Sequence, residues 1–294
     1  MRNLVIDEAF LQRLETMQTV LKNNIAGMFG GNHKSKTYGS SCEFVDYRNY
    51  MSGDDITKID WNAYARSEVL NLKLYLDERR LHTKIYIDVS RSMEYGDGKK
   101  AQTALEIAAA LAYLSVSELD RVSVYTVRES EVKEIISSVA GKERYFAEIG
   151  KLNQVEFGGD CFLSDGILPS KAGYGDGLSV IISDFLTDND YESAIDFLVD
   201  KKRDLLCVQV LSQEELNPKV RGKNIFYDSE NEKRRYRKNI RKDVISAYRA
   251  AVRYVQERLQ GYCAARGAQY LLAQDDKTVE EIVFENFVGS GVLE

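Results

Sequence analysis

Five side chains in this sequence have the types and positions to hold a hard cation. Asp88, Ser90 and Ser92 stand together in "IDVSRSM" (87–93), where an alternating apolar run stops on a carboxylate and two hydroxyls. Asp184 ends a second apolar run, "SVIISD" (179–184), and Asp160 lies in "GGDC" (158–161). Carboxylate and hydroxyl oxygens without thiol or imidazole suit Mg²⁺, with Mn²⁺ and Ca²⁺ as alternatives, and water completes the coordination. A carboxylate closing an apolar strand is costly if it is buried unpaired, which favours a ligand role for Asp184. Ser90 and Ser92 also suit a turn and a helix start. Asp160 suits an N-cap for a helix from about 161 as well as it suits a ligand. Asp97, between Gly96 and Gly98, reads as a turn residue.

Other chemistries have few residues to use. His33 and His82 are the only histidines, so catalysis resting on a positioned imidazole has almost no candidates. Cys42, Cys161, Cys207 and Cys263 form no C-x-x-C pair; they read as reduced core or helix cysteines, not as a zinc knuckle or a redox dithiol. The 294 residues carry 40 Lys and Arg against 46 Asp and Glu, a net charge of −6, which gives no general attraction to nucleic acid or anionic membrane. The run "EKRRYRKNIRK" (232–242) is the local exception. Without an aromatic platform or a nucleic-acid motif it reads as a solvated face where a short hairpin enters a long helix, and a docking surface for an acidic protein is the intermediate reading. No basic-then-apolar leader opens the sequence, and the most apolar stretch, "IAAALAYLSV" (107–116), is too short to span a bilayer. A cytoplasmic protein is expected.

To bring Asp88, Asp160 and Asp184 to one place, the chain needs a sheet whose strand ends share an edge. Strand-like runs occupy 84–90, 121–127, 131–138, 178–186, 205–212 and 269–273, with helical runs at 99–117, 191–201 and about 240–265. This alternation predicts a doubly wound, mostly parallel α/β sheet. Only "RES" separates the second and third runs, so they form an antiparallel hairpin at one edge. Ligands of such sheets sit beyond the carboxyl ends of the strands. Upstream, Phe10, Leu14, Met17, Leu21, Ile25 and Met28 mark one face of a helix. Short pieces follow, with a turn at 52–55 and a strand at 70–77. The expected organisation is an N-terminal helix and β module (1–80), an α/β domain (81–275) with a hairpin insertion near 224–238, and a helical tail (276–294). Trp61, the single tryptophan, is expected to be a buried staple between module and sheet. Arg48, Asp54, Asp60 and Arg66 suit either salt bridges there or a partner surface.

The D-x-S-x-S motif after a strand, a Gly-Gly loop and a later strand ending in Asp resemble the metal-ion-dependent adhesion site (MIDAS) of von Willebrand factor A-like domains. "EFVDYRNYMSGDDITKIDWNAYAR" (43–66), "LDERR", "VLSQEE" (210–215) and "IFYDSENEKRRYR" (225–237) narrow this, because together they resemble the "domain of unknown function 58" family over about 40–275. The resemblance implies a von Willebrand factor A-like fold and a MoxR-type AAA+ ATPase and other von Willebrand factor A-like proteins as partners. It implies a chaperone or assembly role and no catalytic activity. Carried over by position, the metal ligands are Asp88, Ser90, Ser92 and Asp184. Asp160 stands where adhesion sites usually have Thr, and a third carboxylate there would hold a cation harder while leaving it less electrophilic. The resulting expectation is a non-enzymatic, Mg²⁺-dependent interaction adaptor. The rivals are a Mg²⁺-dependent phosphohydrolase, disfavoured because residue 90 is Ser where D-x-D-x-[TV] needs Asp, and nucleic-acid binding through 232–242.

Overall fold

The structure, a computed structural model, describes residues 9–10, 12–13, 44–52, 54–75, 81–95, 99–117, 120–170, 173–175, 177–227 and 235–282. Those from 44 to 75 and those from 81 onward belong to two separate compact units. Cys42, Asp97 and the expected helix positions Leu14, Met17, Leu21, Ile25 and Met28 lie outside the described residues. Phe10 is helical and buried.

In the smaller unit, β1 (Phe44–Asn49) pairs antiparallel with β2 (Asn71–Tyr75). Asp60 caps the helix α1 (Trp61–Ser67) by accepting from the Asn62 and Ala63 N–H groups, and its other oxygen accepts from the Tyr47 hydroxyl at 2.9 Å. Arg48 grips Asp54 through two 2.9 Å bonds, and Arg66 donates to the Asn62 carbonyl. Trp61 departs from expectation. It is 59% exposed, on a helix that has no buried residue.

The larger unit is built on β3 (His82–Asp88), β4 (Arg121–Arg128), β5 (Glu131–Ala140), β6 (Leu178–Ser183) and β7 (Asp204–Leu211), with β8 (Gly222–Tyr227), β9 (Arg235–Ile240) and β10 (Gln269–Gln274) following. The main sheet has the order β10-β7-β6-β3-β4-β5. All neighbours are parallel except β4 and β5, which form the expected antiparallel edge hairpin. β8 and β9 make a separate two-stranded hairpin. The helices of this unit are α2 (Lys99–Ser117), α3 (Lys142–Glu148), α4 (Leu163–Ile167), α5 (Glu192–Asp200), α6 (Gln213–Leu216) and α7 (Lys242–Ala265). Strands β3, β4, β6 and β7 are almost wholly buried on both faces, as a parallel sheet covered by helices requires. In α2, small side chains such as Ala101, Ala104, Ala108 and Ala112 are buried on a helix that is itself nearly enclosed. Tyr86 and Tyr125, paired across β3 and β4, stack with ring centroids 5.3 Å apart. Among the described residues no helix is long and apolar enough to cross a membrane.

The chain enters the sheet at β3, goes to β4 on one side and later to β6 on the other. The loops after β3 and β6 therefore diverge from a topological switch point, where this class of sheet opens a crevice. At the opposite end the packing is tight. Gly177 has φ +126°, and a Cβ there would meet the His82 backbone at 2.6 Å, so glycine is required for the entry to β6.

His82, at that end, bonds the Ser123 hydroxyl at 3.0 Å. Burial first, and then Lys84, Arg203 and Arg121, push its pKa down to about 4, against an opposing effect of Glu134. The unfolded chain takes up this proton near pH 6.5 and the folded protein only near 4, so stability is lost as pH falls through that window. Full linkage would be about 3 kcal/mol; the partly exposed ring reduces the expectation to roughly 2 kcal/mol. Urea titrations at pH 7 and pH 4.5 should show this loss in wild type and a smaller one in His82→Gln.

Candidate functional site

At the switch point, Asp88 closes β3 and Ser183 closes β6 beside it. Asp88 is almost fully buried. Its Oδ1 accepts from the Ser90 N–H at 2.8 Å and its Oδ2 from the Ser183 hydroxyl at 2.6 Å. Ser90 then turns the chain into a short 3₁₀ segment, Arg91–Glu94, anchored by the buried Met93. The Ser90 and Ser92 hydroxyls lie 3.0 Å apart. The expected turn and helix-start geometry is thus present together with a clustering of the two hydroxyls.

Asp184 follows β6, also buried. Its Oδ1 accepts from the Leu186 N–H at 3.0 Å. The next residue, Phe185, takes a left-handed φ of 52° that a non-glycine side chain rarely adopts. Its N–H bonds the Ser183 hydroxyl, and its buried ring packs edge-on against Tyr191. These contacts direct the segment 186–191 back over the sheet edge. A small pocket results, lined by Asp88, Ser92, Asp184, Thr187, Asn189 and Asp190 among others.

Asp160 does not join this pocket. No group of three or more Asp, Glu, His or Cys residues placed to hold a metal occurs among the described residues, so the three-carboxylate cluster is not assembled. Nor does Asp160 cap a helix, since α4 begins at Leu163 with Phe162 in the cap position. The physical reason lies in the backbone. The Asp160 carbonyl accepts from the Glu129 N–H at 2.7 Å, and Cys161 bridges Glu129 at the end of β4. Gly158 and Gly159 serve the motif loop instead: the Gly158 N–H donates to the Val89 carbonyl, and the Gly159 carbonyl accepts from the Arg91 N–H. Titrating Mg²⁺ against melting temperature should therefore give Asp160→Thr and Asp160→Asn the same metal-induced shift as wild type. A smaller shift in both would restore Asp160 to the ligand set.

A residue that sequence reading passed over dominates the electrostatics. Lys100, in the first turn of α2, is completely buried, and its Nζ donates to Asp184 Oδ2 at 2.8 Å and to Glu215 Oε1 at 2.9 Å. Glu215 is itself fixed by a capping box with Ser212 at the start of α6. Burial pulls the Lys100 pKa down, but the charges and hydrogen bonds of Asp184 and Glu215 outweigh it and hold the pKa above the ordinary value. Asp88 is pushed the other way for a carboxyl group: burial and then the Asp184 charge raise its pKa, against the hydrogen bonds from Ser183 and Ser90. Three carboxylates and one ammonium leave the buried cluster with a formal charge of −2. The pocket-facing part of it, the Asp88 and Asp184 carboxylates with the Ser92 hydroxyl, is an oxygen-only donor set of the kind a divalent hard cation takes. Asp88, Ser92 and Asp184 would hold it, with Ser90 adjoining and Thr187 adding a hydroxyl.

The polar run "TDND" (187–190) after a strand-end Asp was the available signal for Thr187, Asn189 and Asp190. For Lys100 there was none. The three described cysteines, Cys161, Cys207 and Cys263, are buried and unbridged.

The strand order, with D-x-S-x-S after β3 and Asp after β6, is a doubly wound α/β arrangement similar to that of von Willebrand factor A-like domains. Residues 46–258 match the family described as "Protein of unknown function DUF58", and the chain belongs to that family. It is 23% identical over 238 residues to uncharacterized proteins of Mycobacterium tuberculosis and Mycobacterium bovis, covering 78% of this chain and 74% of theirs. Among solved structures, BatB from Bacteroides thetaiotaomicron matches with 13% identity and a TM-score of 0.39, over 71% of this chain and 98% of that one. The VWA domain of SpRpn10 matches with 11% identity and a TM-score of 0.40, over 74% and 100%. A mussel byssus protein, proximal thread matrix protein 1 with a zinc-occupied MIDAS motif, matches with 9% identity and a TM-score of 0.40, over 71% and 46%.

Proposed function

We propose that this protein is a non-enzymatic adaptor of the cytoplasm that grips a protein partner through a divalent cation, Mg²⁺ in the first place, held at the switch point between β3 and β6. The observation that carries this is the convergence of Asp88, Ser92 and Asp184 on one pocket, with Asp184 held from behind by the buried Lys100. When bound, the cation would supply a coordination position for a carboxylate of the partner. The chain's own part is to hold the ligands rigidly. Ser90 N–H and Ser183 orient Asp88, Leu186 N–H and Lys100 orient Asp184, and the left-handed Phe185 aims the flanking loop. The partner proposed, on the family resemblance, is a MoxR-type AAA+ ATPase, with other von Willebrand factor A-like proteins as further members of the assembly.

Calorimetry of Mn²⁺ and Mg²⁺ binding, with and without such an ATPase, is the test. Linkage requires the ATPase to tighten cation binding by the factor by which the cation tightens ATPase binding. Equal cation affinities in the two experiments would end the adaptor reading at this site. Turnover of a general phosphatase substrate with Mg²⁺, abolished by Asp88→Asn, would replace it by hydrolysis.

A further inference from the structure

The hairpin of β8 and β9 stands apart from the main sheet. Among the described residues its sheet has two strands only, so each strand keeps one open edge. Residues 235–239 are exposed on both faces. A two-stranded hairpin with both faces in water is marginally stable by itself and is a template for strand addition. Its register places Lys223 opposite Asn239 and Ile225 opposite Arg237, with Arg235 two positions further along the same face. Ile225 on this face is 45% exposed. Neither 222–227 nor 235–240 contains a carboxylate. Residues 222–240 hold 6 Lys and Arg against 3 Asp and Glu, whereas the rest of the chain holds 34 against 43. A basic arm is thus mounted on an acidic body.

We infer that this hairpin is a docking arm for an extended acidic segment of a partner protein, which adds as a third strand along the open edge of β9. Main-chain hydrogen bonds would give the affinity of such an addition and side chains its selectivity. Arg235 and Arg237 repeat at the spacing of alternate strand positions, about 7 Å, so they meet acidic residues placed at every second position, with Lys223 and Ile225 behind them on the same face. An acidic strand suits the arm better than a nucleic acid does. A nucleic acid, with a phosphate about every 3.4 Å along each strand, continues past the arm and over the acidic body, while a strand of some six residues ends with the arm. This site is separate from the β3 and β6 loops and does not depend on a cation.

The test uses the full chain and a fluorescein-labelled twelve-residue peptide of alternating Glu and Val, followed by anisotropy at low and moderate salt. The same peptide with Gln for Glu, and a twelve-nucleotide single-stranded DNA, are the comparisons. The Glu peptide should bind more tightly than both, lose at least tenfold in affinity to Arg235→Glu/Arg237→Glu, and slow hydrogen exchange at the β9 amides. Both arginines are exposed, so the melting temperature of the double variant should match wild type. Absence of binding, equal binding of the Gln peptide, an affinity unchanged in the double variant, or tighter binding of the DNA would each overturn the proposal.

Discussion

Replacing Lys100 by Met is expected to destabilise the protein by about 3–5 kcal/mol, the range for removing one partner from a buried ion pair. For a domain of this size that lowers the melting temperature by roughly 10 °C. The loss comes less from the contacts of the ammonium than from what it leaves behind: the buried Asp184 and the largely buried Glu215, both without a counter-charge and near a third carboxylate, Asp88. Because its pKa is held above the unfolded value of 10.5, the lysine's contribution is complete at neutral pH and is lost only as pH rises past that value. Neutralising both partners as well, in Lys100→Met/Asp184→Asn/Glu215→Gln, should recover most of the loss, since no charge is then stranded. Urea unfolding of the single and triple variants is the measurement. A single-variant loss below about 1 kcal/mol would mean that Lys100 is solvated and surface-like, and the cluster charge derived above would have to be redrawn.

The strands were legible because most are apolar runs rich in Val and Ile that stop on turn residues, and the parallel order followed from their alternation with helices. Placing Asp88 beside the end of β6 also followed, since a doubly wound order puts the first strand next to a later one. Trp61 was misread for a different reason. Average burial of tryptophan says nothing about whether a particular short helix is covered, and α1 has no buried residue. Asp160 illustrates a further limit. Its loop was located correctly, but its backbone is committed to the end of β4, and a pairing between residues 129 and 161 leaves no mark in local spacing.

Lys100 was invisible for the same physical reason on a larger scale. A lysine in the first turn of a helix ordinarily projects into water, and here its burial depends on carboxylates 84 and 115 positions away in sequence. The capping box that fixes one of them was readable in "SQEE" (212–215), yet its second role as a counter-ion was not. Local chemistry shows which groups carry charge. Only the packed fold shows which charges are forced to share a dry space, and that sharing decides how a cation site is tuned.

Asp88→Asn should produce two effects of opposite sign. Without a divalent cation the variant is expected to be more stable than wild type, because it removes a charge that burial and Asp184 disfavour in the folded state. The carboxylate is buried next to Asp184, and its raised pKa shows that its charge burdens the folded state above the ordinary carboxylate range. Asn keeps an oxygen for the Ser90 N–H, and its amide can donate to the Ser183 hydroxyl, which also accepts from the Phe185 N–H. That exchange weakens one short bond and limits the gain. With Mg²⁺ or Mn²⁺ the order should reverse. Removing one of the two strand-end carboxylates, Asp88 and Asp184, should weaken cation binding at least 100-fold, beyond the 10- to 100-fold typical of losing an outer-shell partner. The cation-induced rise in melting temperature should vanish with it. A purely structural aspartate would behave differently, because its removal would lower stability with or without the cation. Melting curves of wild type and variant over a Mn²⁺ series separate the two cases: a variant that is less stable without cation and still shows the wild-type shift would remove Asp88 from the site.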